Sequence, residues 1–146
     1  MQDLPHQYHV QAQGKPGENL DVCVENVPKL TVAPPAQFGG PGDEWSPEDL
    51  FMASIASCFI LSFRAIAKAS KFNWSSIQCD STGTLERVEG KTRFTKIITK
   101  ASLVIPSTET IENAERLLHR AEQSCLVVNS LSSESELQCE VSFPKQ

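Results

Sequence analysis

The 146-residue sequence is short of several things, and each shortage excludes something. It has no CxxC pair, and its three histidines, His6, His9 and His119, are scattered, so the clustered ligands of a structural zinc site are missing. It has no excess of basic charge: thirteen Lys and Arg stand against eighteen Asp and Glu, a formal net charge of −5. A nucleic-acid binder needs a basic face to displace counterions, and a peripheral membrane anchor needs a polybasic cluster. The first ten residues, MQDLPHQYHV, carry neither the basic start nor the apolar run of a secretory signal. No stretch reaches the ~18–20 uninterrupted apolar residues of a membrane span. These absences predict a soluble, cytoplasmic protein with neither nucleic acid nor membrane as partner.

What is present fits a single domain over residues 1–146. The chain is 40% hydrophobic and 21% charged, an ordinary globular balance, and long enough to bury a sizeable core. Five cysteines, Cys23, Cys58, Cys79, Cys125 and Cys139, are odd in number and far apart in sequence. With no visible signal peptide, a secreted disulfide framework is not expected. The thiols are therefore inert and buried, or one or two of them do chemistry.

The apolar pattern divides the chain. Tyr8–Val10, Leu20–Val24 and Leu30–Val32 read as strands, broken by the Gly14-Lys15-Pro16-Gly17 turn and by Asn26-Val27-Pro28. Pro34, Pro35, Gly39, Gly40, Pro41 and Gly42 predict an extended, non-helical linker. At Ser46 the period becomes helical. Ser46 suits an N-cap, Pro47 the first helical position, and Glu48 and Asp49 the first turn, beside the positive end of the dipole. Leu50, Phe51, Ile55, Cys58, Phe59, Ser62, Phe63 and Ile66 then recur at helical spacing to about Ala69, with no charge between Leu50 and Phe63. So apolar a helix must be covered on all sides, and a second copy of the chain is the economical cover for the side one sheet cannot reach. Ser75–Glu89 and Thr92–Ile105 predict a strand pair around a Glu89-Gly90-Lys91 turn, residues 109–124 a second helix, 126–131 an ambiguous helical turn, and Glu136–Phe143 a last strand. Segregated runs of this kind imply an α+β fold with a largely antiparallel sheet.

Two cysteines compete for a chemical role. Cys58 lies twelve residues past the N-cap, ~18 Å along the helix, so the positive end of that helix cannot activate it. It is either a small core hydrophobe or a thiolate charged from elsewhere in the fold. Cys125 ends the second helix, where the last carbonyls do not favour a thiolate, so a resolving role suits it better than that of primary nucleophile. Cys23, Cys79 and Cys139 sit in predicted strands and read as inert. His119 has no acid and nucleophile in a triad pattern.

Three segments, Gly39-Gly40-Pro41-Gly42, Ser46-Pro47-Glu48-Asp49-Leu50-Phe51 and Ala53-Ser54-Ile55-Ala56-Ser57-Cys58-Phe59, together resemble the first block of the OsmC/Ohr family of thiol peroxidases. Ser124-Cys125-Leu126-Val127-Val128-Asn129-Ser130-Leu131 resembles its second block, and the likeness extends over about residues 7–143. It implies an OsmC-like α+β fold, with antiparallel sheets wrapped around two central long helices in an intertwined homodimer. It implies Cys58 as peroxidatic thiol, Cys125 as resolving thiol and Glu48 as the active-site Glu, with small hydrophobic peroxides as substrates. It also implies a lipoyl-type dithiol as reductant, and no metal, flavin or haem cofactor. Ten residues, ~15 Å of helix, separate Glu48 from Cys58, so a Glu48 that assists Cys58 comes from the partner chain.

The pattern departs from the family at two points. The family's N-terminal Arg is absent, since no Arg precedes Arg64; Lys15 falls about where it would sit, offering a point charge rather than a planar fork. Leu126 stands where the family has Pro. These departures keep two alternatives open on the same scaffold: a module that binds an apolar small molecule, and a redox sensor.

Overall fold

The computed structural model describes residues 1–145 and forms two compact units, which meet inside the long helix between Phe51 and Met52. The first unit holds a three-stranded antiparallel sheet of β1 (Gln11–Gln13), β2 (Leu20–Cys23) and β3 (Leu30–Val32), in that order. The expected strand at Tyr8–Val10 does not form. The register of β1 on β2 ends at Gln11 opposite Cys23, so the residues before it have no strand to pair with, and Tyr8 is 87% exposed. The linker is extended except for one 3₁₀ turn at Ala36–Phe38, which begins directly after Pro34-Pro35 and closes on Gly39 in the left-handed region. The expectation of a non-helical linker is corrected there: Pro35 fixes the extended N-cap backbone, and Gly39 provides the positive φ that ends a single turn. Trp45 then runs beside β3, its carbonyl accepting from the Ala33 N–H at 2.9 Å.

The long helix α1 spans Pro47–Ala69, as the sequence pattern predicts. Ser46 is fully buried and caps it reciprocally. Its hydroxyl accepts from the Asp49 N–H at 3.0 Å and donates to the Asp49 carboxylate at 2.9 Å, while its own N–H reaches the same carboxylate.

The second unit carries β4 (Ser76–Val88), β5 (Lys91–Val104) and β6 (Glu134–Ser142) in the order β4-β5-β6, with α2 (Ile111–Ser124) and α3 (Leu126–Asn129) between the last two strands. Glu89 and Gly90 both take positive φ, the requirement of a two-residue hairpin that twists with its strands. The arrangement is largely antiparallel, as expected, and among the described strands only the β5–β6 pair is parallel. The reason is the crossover: parallel neighbours need a connection of a dozen or more residues, usually helical, and α2 and α3 supply it. The start of α2 also moves, from residue 109 to Ile111. Thr110 caps it by accepting from the Asn113 N–H, and Pro106 to Glu109 close a separate turn first.

One face of this sheet forms the core. Ala101, Leu103 and Ile105 of the β5 segment pack with Ala114, Leu117, Leu118 and Ala121 of α2 and with Phe59, Phe63 and Ala67 of α1. Phe63 meets Trp74 and Phe72 ring to ring at 5.6 and 6.4 Å. By length and composition α1 could cross a membrane; here one side of it forms part of a protein core. The other side is uncovered in the single chain, with Leu61 57% exposed.

Candidate active site

The site is built where α1 passes the junction of α2 and α3. Cys125 is the last residue before α3 as well as the first after α2, and this double role decides the chemistry. Its extended backbone (φ −69°, ψ 103°) reverses the chain, so α2 ends in carbonyls while α3 begins in amides without intrahelical partners. Cys125 is fully buried. Cys58 is partly exposed on α1 and faces an open, largely apolar groove of about 500 Å³, lined also by Leu61, Ala65, Leu126 and Val127 and by the hydroxyls of Ser54, Ser57 and Ser62.

The two sulfurs are within hydrogen-bonding reach of one another. Burial by itself would raise the Cys58 thiol. Donors outweigh it and hold the group below its ordinary value: the Val127 amide, the Cys125 thiol, the Ser62 hydroxyl and the Leu126 amide. Cys125 moves the other way, pushed up to about 11, first by burial and then by its donation to Cys58, with the amides of Val128 and Val127 opposing. Of the two, Cys58 therefore gives up its proton the more readily. That is the arrangement of an attacking sulfur with a waiting partner.

What lowers Cys58 is a set of hydrogen bonds from neutral groups, and the source is the short α3 that the sequence left ambiguous. Of the other two expected site residues, Glu48 lies in the first turn of α1, beside an apolar groove of about 360 Å³ lined by Leu20, Val32, Pro34, Pro35 and Phe38. Its Oε1 is buried without a hydrogen-bond partner among the described residues. Lys15 sits in the turn before β2, in a polar hollow with Gln13, Glu18, Asn19 and Asp21. Among the described residues no group of three or more His, Cys, Asp or Glu is placed to hold a metal ion.

The other strand cysteines contrast with this pair. Cys79 and Cys139 are partly buried against the core, and both are raised by burial, Cys139 to about 11 with Glu115 and Glu122 adding to it.

Known proteins carry the same architecture. The solved structure of an OsmC-like protein of unknown function from Vibrio cholerae superposes with a TM-score of 0.84 at 20% identity, covering 92% of this chain and 99% of that one. An organic hydroperoxide resistance protein from Elizabethkingia anophelis, solved with thiocyanate bound, gives 0.77 at 25% identity over 98% and 100%. OhrB of Bacillus subtilis gives 0.67 at 18% over 93% and 98%. In sequence, the uncharacterized protein YmaD of Bacillus subtilis is 28% identical over 142 residues, 94% of each chain. The family model for OsmC-like proteins matches residues 40–140, the stretch holding both Cys58 and Cys125, and the chain belongs to that OsmC-like family.

Proposed function

We propose that the protein is a thiol peroxidase that reduces organic hydroperoxides, with Cys58 as the attacking sulfur and Cys125 as the resolving one. The observation that carries this reading is the hydrogen-bonded pair of sulfurs with opposite proton preferences in an apolar groove. Structural neighbours named organic hydroperoxide resistance proteins support it. The Cys58 thiolate attacks the terminal peroxide oxygen and the O–O bond breaks. The alkoxide takes a proton and leaves as an alcohol, and Cys58 becomes a sulfenic acid. The Cys125 thiol then condenses with it, expelling water and forming the Cys58–Cys125 disulfide. An external dithiol, of which a lipoyl group is the expected kind, takes up the oxidation and restores both thiols. No metal, flavin or haem takes part in these steps.

The acting form in this reading is a homodimer, a second copy covering the apolar side of α1 that includes Leu61. Glu48 and Lys15 reach the reacting groove from that second copy and orient the peroxide. The buried Glu48 Oε1 needs a donor, and a hydroperoxide O–H is one. A reducing cytoplasm keeps the resting pair as thiols.

Purified protein with dihydrolipoamide should consume cumene or tert-butyl hydroperoxide, and Cys58→Ser should not. A wild type no faster than free cysteine contradicts the proposal. The absence of any Arg before Arg64 favours a second reading, in which the same groove binds an apolar small molecule without chemistry. That reading predicts ligand-induced thermal stabilisation that survives Cys58→Ser.

A further inference from the structure

We propose that the apolar groove beside Glu48 is a binding site for a small apolar amine, held as its ammonium form with at least one N–H directed at the Glu48 carboxylate. The groove, about 360 Å³, lies wholly within the first unit and has the size of a small-molecule site.

Its walls are apolar and preformed. Leu20 of β2, Val32 of β3 and Pro35 form the sides, and Phe38, 60% exposed, presents an aromatic ring at the rim. The turn that carries Phe38 is tied down. The Phe38 N–H donates to the Pro35 carbonyl at 2.9 Å, and the Gly40 N–H donates to the same carbonyl at 3.0 Å. Gly40 folds back so closely that a side chain there would strike the Pro34 carbonyl. A wall fixed in this way loses little further freedom when a ligand enters.

Two acids line the groove, Glu18 and Glu48, and no Lys, Arg or His does. Lys29 is engaged with Asp21 at 3.6 Å, and Lys15 lies in the polar hollow that shares Glu18. Among the described residues neither Glu18 nor Glu48 has an ion pair. In the first turn of α1, Asp49 gives its carboxylate to the Ser46 cap, and Glu48 has no part in that cap. Glu48 Oε1 is buried and has no hydrogen-bond partner among the described residues. A carboxylate oxygen out of water without a donor is costly, so the site is complete only when something supplies one.

Three features then select the ligand. Two carboxylates call for positive charge. The buried oxygen calls for a hydrogen on that charge, which a quaternary ammonium lacks. The apolar walls call for a hydrocarbon body, which a hydrated metal ion lacks. In the reaction proposed above a hydroperoxide uses the same oxygen, so the amine is its competitor there. Amine binding needs neither peroxide nor thiol chemistry, so it can fail while the peroxidase stands, and stand while the peroxidase fails.

The test is calorimetric titration of the reduced full-length protein with 2-phenylethylamine at neutral pH, without peroxide. Two probes with the same body are the comparison: 2-phenylethanol, which keeps a donor but has no charge, and the N,N,N-trimethyl amine, which keeps the charge but has no N–H. The amine is expected to bind about tenfold more tightly than either. Glu48→Gln is expected to weaken the amine about tenfold and to leave the alcohol nearly unchanged. Phe38→Ala is expected to weaken the amine and the alcohol alike. In the free protein Glu48→Gln is expected to hold or raise the thermal midpoint, because the buried oxygen has no partner to lose. A fall in that midpoint would show that the oxygen is already paired within the protein, and would overturn the proposal. So would no binding of the amine at millimolar concentration, equal affinity for the three probes, or amine affinity untouched by Glu48→Gln or by Phe38→Ala.

Discussion

Two pairs of cysteines lie in the second unit of this molecule, and they differ in ways that separate a reactive thiol from a stored one. Cys58 comes from α1 and Cys125 from the α2–α3 junction, and each shifts the other's hold on its proton. Cys79 and Cys139 come from the outer strands of one sheet, and both are in register with Ala101 on the strand between them. Two strand spacings put their Cα atoms ~9.6 Å apart, beyond the reach of a disulfide. Burial pushes upward on every one of these sulfurs. What differs is the company. Cys58 has two amides, a thiol and a hydroxyl lowering it, whereas Cys79 has the single Ser81 hydroxyl, opposed by Asp80, and Cys139 has Glu115 and Glu122. Burial alone therefore raises a thiol, and enough hydrogen-bond donors in the same setting lower it.

The largest effect expected from this contrast is kinetic. Cys58→Ser should lower dithiol-dependent hydroperoxide consumption at least ~10³-fold, since the attacking atom is gone, while the Cys79→Ala, Cys139→Ala double variant should retain the wild-type rate. Loss of activity in the double variant would erase the distinction between the pairs. Next, Cys125→Ser should lower steady-state turnover about 100-fold but leave the first oxidation of Cys58 intact, visible as a sulfenic acid trapped by dimedone. Ala101→Val tests the sheet pair as packing. Ala101 is fully buried between the two strand thiols, so added methyl groups should cost about 1–3 kcal/mol in denaturant melts, with Cys58 alkylation unchanged.

The smallest effect is in pH dependence. Cys139 is raised to about 11 in the folded protein, so the stability it contributes is fully present below the ordinary ~8.5 of an unfolded thiol and is lost as pH rises toward 11. Cys139→Ala should flatten that alkaline decline. Cys58 has the opposite sign: its folded value is depressed, so its contribution is present above the unfolded value and is lost as pH falls through the folded one. In Cys58→Ser that loss should disappear, in melts run from pH 9 down to 5.

Much of this was legible in the residues. Ser46 and Pro47 gave the start of α1, and Leu30–Val32 matched β3 residue for residue. The two cysteine segments pointed to the candidate site because each sits in its own local pattern. What resisted reading was tertiary or too short to show a period. Four residues of α3 make barely one turn, so no hydrophobic repeat announces them, yet their amides are what Cys58 needs. The parallel β5–β6 pairing was available in principle from the helical segment between two neighbouring strands. Lys15, by contrast, was placed by a loop alignment with no physical constraint behind it.

The measurement that bears most directly on the reacting pair is a non-reducing peptide map after one equivalent of cumene hydroperoxide. The account predicts a peptide joined through Cys58 and Cys125, two hydrogens lighter than the reduced pair and recovered as free thiols after dihydrolipoamide. Cys58 still reduced, or a disulfide drawn instead from Cys23, Cys79 or Cys139, would contradict it.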